Sequence, residues 1–121
     1  MSTLQEMLEE ILNDLETTGI IKASAIISRN GLKMVSNTAE DMDSEAFAAL
    51  SAILHISAES TIDKLCKEIP KFIFVQTDQH NLITYSGGPN ALIIVLTDHE
   101  WNIELILDKI EKAADKVKEL I

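Results

Sequence analysis

Cations are scarce in this 121-residue chain: 10 Lys and Arg stand against 20 Asp and Glu, leaving a formal charge of −10. A surface of that sign repels phosphate backbones and anionic bilayers, which argues against nucleic-acid or membrane binding through a basic patch. Cys66 is the single cysteine, so there is no internal disulfide, and the composition fits a reducing compartment. The longest uninterrupted apolar stretch, Ala91 to Leu96, is far too short to span a bilayer. Met1-Ser2-Thr3-Leu4 carries neither a basic flank nor an apolar run, so no secretory leader is expected and a cytoplasmic location is. Two Pro and four Gly leave little material for linkers, and no repeat or low-complexity stretch divides the chain. A single domain over residues 1–121 is expected.

What is present is strongly patterned. Leu4, Met7, Leu8, Ile11, Leu12 and Leu15 recur at three- and four-residue spacing between acidic residues, which predicts an amphipathic helix. Thr3 with Glu6 three residues on is a capping-box start, and Gly19 is a natural left-handed stop. Residues 20–29 and 32–37 then read as two strands joined at Asn30-Gly31, a tight antiparallel hairpin with positive φ expected at both turn residues. Asp41-Met42-Asp43-Ser44 caps a long helix running to about Lys67, which Pro70 prevents from continuing far. Three short strands follow, over residues 71–77, 82–86 and 91–97, and their short polar loops force an antiparallel meander. The last of them is apolar on both faces, so helices must cover both sides of the sheet. A final amphipathic helix opens near Asn102 and gathers Lys residues toward its C-terminus, where the helix dipole favours them.

The middle helix is apolar or small on more of its circumference than one sheet contact requires. At about 100° per residue, Phe47, Leu50, Leu54, Ala58 and Leu65 share one face, expected to pack on the sheet. A second line holds Ala49, Ile53, Ile56 and Ser60, expected to meet their own copies across a two-fold axis. A third holds Ala48, Ser51, Ala52, His55 and Glu59, whose small members would let another body approach closely. The alternative is that another part of the same chain covers the excess. The strand at residues 71–77, carrying Phe72 and Phe74, reads as a weakly guarded sheet edge that pairing with its own copy would remove.

Sites of chemistry are few. No Gly-rich loop leads into Lys-Ser or Lys-Thr, so a P-loop is absent. His55, His80, His99 and Cys66 fall on different elements without paired ligand spacing, and neither a metal, a cofactor nor a catalytic residue is expected. Arg29, the single arginine, sits beside the hairpin tip as a solvated charge, with an arginine finger inserted into another protein's active site as the sharper alternative. A cavity for a small ligand is disfavoured if Phe47, Leu50 and Leu54 fill the space between helix and sheet.

The segment Ala23-Ser24-Ala25-Ile26-Ile27-Ser28-Arg29-Asn30-Gly31-Leu32, the closing run Ala91 to Asp98 before a helix at Asn102, and the order α-β-β-α-β-β-β-α together resemble the roadblock domain family. That family includes dynein roadblock light chains and MglB-type regulators of small GTPases. The resemblance implies an α+β, roadblock/profilin-like sandwich: a five-stranded antiparallel sheet ordered 2-1-5-4-3, with the first and last helices on one face and the middle helix on the other. It implies a non-enzymatic homodimer, or a heterodimer with a roadblock paralogue, joined through middle helices and third strands. The implied dimer residues are Ala49, Ile53, Ile56, Ser60, Phe72 and Phe74. It further implies regulation or scaffolding of a small Ras-like GTPase docked on Ala48, Ser51, Ala52, His55 and Glu59. The alternative within the resemblance is a structural light-chain-like subunit of a larger assembly.

Overall fold

The computed structural model describes residues 1–99 and 102–121. Its elements run α1 (Leu4–Glu16), β1 (Ile21–Ile27), β2 (Lys33–Asn37), α2 (Ser44–Cys66), β3 (Phe72–Gln76), β4 (His80–Ser86), β5 (Leu92–Asp98) and α3 (Ile103–Leu120). Each helix begins where a short polar side chain satisfies the first free amides. The capping box forms at α1, where Thr3 Oγ1 accepts from the Glu6 amide at 3.1 Å and Glu6 Oε1 accepts from the Thr3 amide at 3.3 Å. Asp43 accepts from the Glu45 and Ala46 amides at the start of α2, and Asn102 accepts from the Glu104 amide at the start of α3. Lys67 closes α2 in the left-handed region.

All the strands pair antiparallel in the order β2-β1-β5-β4-β3, as the resemblance implied. Most strand limits shift by a residue or two; the larger changes are at β4, which begins at His80 rather than Leu82, and at the hairpin tip, which is wider than expected. The Gly31 amide donates to the Ser28 carbonyl at 3.0 Å, so Arg29 and Asn30 are the central turn residues. Gly31 alone takes a positive φ, of 90°, and Asn30 does not. The connection is a turn followed by a left-handed glycine rather than a two-residue Asn-Gly turn, and the register shifts beside it at Ile26/Ile27.

The two faces of the sheet are packed differently. Alternation along β1, β4 and β5 sends Ile26, Ile83, Ile93 and Val95 toward α1 and α3, where Leu12, Ile106 and Ile110 complete a core of large aliphatic side chains. Ala25, Ile27, Leu92 and Ile94 point the other way, where the apolar side chains that α2 brings against them are Ala48, Ala52 and the half-buried Phe47. The inward line of α2 is thus Ala48, Ser51, Ala52 and His55. This corrects the expected orientation of the helix. Leu50 and Leu65, assigned to the sheet, are 66% and 75% exposed, while Leu54 and Ala58 are only half-buried.

Small residues face inward because the backbone comes close. A Cβ added at Gly31 would stand 3.1 Å from the Ala49 Cα, so the hairpin tip lies directly against the helix. A leucine line could not occupy that gap without pushing the helix off the sheet.

Candidate functional site

The five positions expected to receive a partner do lie together, but on the underside of α2. Ala48 and His55 are fully buried, Ser51 and Ala52 nearly so, and the Glu59 side chain is 16% exposed at the margin. The first four are therefore part of the packing between helix and sheet, and little of their surface is open to a partner. The lines expected to form a dimer face outward: Ile53 is 62% exposed, Ala49 and Ser60 are exposed, and Ile56 is half-buried. Among the described residues no other helix covers this side, since α1 and α3 pack in the core on the opposite face.

Beneath the helix runs a polar chain that no sequence motif announced. Arg29 reaches back from the hairpin tip with its whole guanidinium engaged. One terminal nitrogen donates to Glu59 Oε1 at 2.7 Å, the other to Ser86 Oγ at 2.9 Å, and Nε donates to the Gly88 carbonyl at 3.1 Å. Glu59 Oε2 lies 3.4 Å from His55 Nε2, and His55 Nδ1 lies 2.8 Å from Thr84 Oγ1. A bare Nε2 lone pair facing a carboxylate would be repulsive, so the arrangement favours the tautomer with hydrogen on Nε2 and with Thr84 donating to Nδ1. Burial pushes the His55 pKa below its ordinary 6.5; the Glu59 carboxylate opposes that shift and Arg29 adds to it. The ring is thus held neutral beside an Arg–Glu pair.

This geometry also corrects the reading of Arg29 as a solvated charge. Its side chain is 26% exposed and all three nitrogens are committed within the chain, so it ties the β1–β2 tip, α2 and the β4–β5 loop together. A finger inserted into another active site would have to break these bonds. The one sequence signal that pointed here was a His and a Glu four apart on a helix otherwise poor in charge, with a lone arginine elsewhere to pair with them.

Next to this chain, Arg29, Asn30, Ala52, Ile53, Ile56 and Ser57 line a shallow cleft between the hairpin tip and α2. The β3 strand forms one edge of the sheet and β2 the other. Phe72 stacks on Tyr85 with ring centroids 5.7 Å apart, on the side of α1 and α3. Phe74, two residues along and opposite Ile83, shares that side and is 38% exposed. The α2 side of β3 carries Ile73 and Val75 instead. Among the described residues, no cluster of His, Cys, Asp and Glu has the arrangement of a metal site, and no helix is long and apolar enough to cross a membrane.

The sequence profile of the Roadblock/LC7 domain matches residues 7–97. An uncharacterized protein of Methanocaldococcus jannaschii, MJ0714, is 24% identical over 115 residues, covering 95% of this chain and 97% of its own. The fold is similar to that of Myxococcus xanthus MglB, with a TM-score of 0.86 at 19% identity over 100% of this chain and 95% of that one. It is also similar to Acanthamoeba castellanii profilin II, with a TM-score of 0.61 at 19% identity over 88% of this chain and 92% of that one.

Proposed function

We propose, from the premise that this chain belongs to the Roadblock/LC7 domain family, that it is a non-enzymatic regulator or scaffold of a small Ras-like GTPase and works as a dimer. The observation that carries this reading is the outward side of α2. Leu50 and Ile53 stand more than 60% exposed on a helix whose first three turns have no charge after Glu45 until Glu59, and among the described residues no other helix covers them. Pairing two copies through Ala49, Ile53, Ile56 and Ser60 removes part of that surface from water, and joining two β3 strands satisfies the β3 edge of each. Because Phe72 and Phe74 point away from α2, their part in such a dimer is to flank the strand seam, while Ile73 and Val75 lie on the side of the paired helices. The surface left for the GTPase is the crest of α2 around Leu50 and Ser57, not the buried underside.

That relocation changes the decisive variants. Ala52→Arg would test packing rather than docking. Ile53→Asp is expected to yield monomers by light scattering, and an undiminished dimer would remove the α2 interface. Leu50→Arg is expected to leave the dimer intact while abolishing binding of the GTPase; retained affinity would move the docking surface elsewhere. Tighter binding to the GTP-loaded than to the GDP-loaded partner supports regulation, whereas equal binding supports a structural light-chain-like subunit.

A further inference from the structure

We propose that α2 is a separately opening unit of the fold, unlatched from the sheet by protonation of His55 while the layer between the sheet and α1 and α3 stays packed. Along Ser44–Cys66 the buried residues are Ala48, Ser51, Ala52 and His55, none of them a large aliphatic side chain. By contrast, α1 and α3 bury leucines and isoleucines. No residue from Thr61 to Ile69 is buried, so the last turns of α2 have little hold on the sheet. The links at either end of the helix, residues 38–43 and 67–71, lie outside the strands, and lifting it breaks no ladder. The cost of opening is the apolar surface of Ile27, Leu92 and Ile94 that it uncovers, together with the polar contacts beneath the helix.

Those polar contacts require one protonation state of His55. The ring is fully buried, with Nδ1 2.8 Å from the Thr84 hydroxyl and Nε2 no nearer to a partner than 3.4 Å, at Glu59 Oε2. A proton added to the neutral ring goes to Nδ1, which then donates where it had accepted, so the Thr84 hydroxyl must turn its hydrogen away. Thr84 is itself fully buried, and Nδ1 is its one side-chain partner among the described residues. The charged groups that act on the ring are Glu59, from α2 itself, and Arg29, from the hairpin tip. The β4 strand presents the uncharged Thr84, and Ala25, Ile27, Leu92 and Ile94 of β1 and β5 are apolar. Because Arg29 already holds Glu59 at 2.7 Å, an imidazolium would share one carboxylate with a guanidinium.

At neutral pH the seat is therefore firm. Once α2 lifts, water reaches the ring and it protonates at the ordinary value of 6.5, which burial denies it in the closed fold. Opening takes up a proton, so it is least favoured above 6.5 and grows as pH falls from there through the lowered value. Mild acid thus acts first on one helix and on the outward surface that this helix carries.

Thiol labelling reads the opening. In a Cys66→Ser background, Ser51→Cys places a thiol beneath α2, Ser24→Cys places one in the opposite layer beside Ile26, and Ser57→Cys places one on the exposed crest. Dividing each rate by that of Ser57→Cys at the same pH removes the titration of the thiol itself. The relative rate of Ser51→Cys is expected to rise by up to about tenfold per pH unit below 6.5, with that of Ser24→Cys flat. His55→Gln should flatten the rise, and His80→Gln/His99→Gln should leave it. Should His55→Gln fail to fold, a rise from 6.5 that survives His80→Gln/His99→Gln has His55 as its source, since these are the three histidines of the chain. A flat rate at Ser51→Cys, an equal rise at Ser24→Cys, an onset only in the carboxylate range at about pH 4, or an unchanged rise in His55→Gln would each overturn the proposal. The same rise is expected in Ile53→Asp, which keeps this result separate from the fate of the α2 interface.

Discussion

The two faces of the sheet are built on opposite plans. Toward α1 and α3 lies a dry layer of large aliphatic side chains, sealed by two amphipathic helices whose outer sides are charged. Toward α2, Ile27, Leu92 and Ile94 of the sheet meet a helix face of alanines and polar groups, with Leu50, Leu65 and Ile53 left on the helix's outer side. The first face stabilises the fold by burying apolar area and needs nothing further. The second holds its helix by close approach and by the Arg29–Glu59–His55–Thr84 chain, which leaves the apolar residues available to another molecule. A helix can thus be firmly seated on a sheet while presenting most of its greasy surface outward.

The contrast breaks most sharply in the thick core. Ile110→Ala, at a fully buried site of α3, is expected to cost about 2–5 kcal/mol in urea unfolding, whereas Leu65→Ala, on the outer side of α2, should cost under about 0.5 kcal/mol. Similar losses at the two sites would erase the difference between the faces. Next in size is the polar chain. Arg29→Ala strands Glu59 at the margin of the sheet and should cost about 2 kcal/mol, a figure reduced from that of a fully buried pair because both side chains keep some water contact. Under the proposed function, the same variant should leave stimulation of a GTPase unchanged wherever the fold persists; a lost stimulation with unchanged stability would restore the finger.

The smallest effect is on pH. Because the fold favours neutral His55, the unfolded chain takes up this proton at higher pH than the folded one. The contribution is full above the ordinary value of 6.5 and falls as pH drops from there through the lowered folded value. The urea midpoint should decline over that window in the parent and decline less in His55→Gln; identical slopes would show that the buried ring does not report on the α2 face.

Much of this architecture was legible because its signals are local. Thr3 with Glu6, Asp43 and Asn102 mark helix starts within a few residues of the bonds they make, and the run at Leu92 to Leu96 identifies a central strand because both of its sides are apolar. The seating of α2 was not legible. A helix apolar nearly all round carries no phase in its sequence, and the rule that larger residues go inward chose Leu50 and Leu65 over Ala48 and Ala52. The rule failed because Gly31 brings a second backbone against the helix, and only small side chains fit there. At the hairpin tip, Asn30-Gly31 marked the reversal correctly but not its width, which the Ser28 carbonyl and the bulge set.

The sequence by itself determined where the helices start, the number and order of the elements, the sign of the surface charge and the family, all of which depend on neighbours along the chain. The tertiary structure decided which side of α2 is inside and that a hairpin arginine, a helical Glu–His pair and a strand threonine form one chain of contacts. The partners in that chain are 30 and 29 positions apart, at Arg29–Glu59 and His55–Thr84. Nothing in the local spacing encodes such a meeting; it exists only once the sheet has paired and the helix has closed over it.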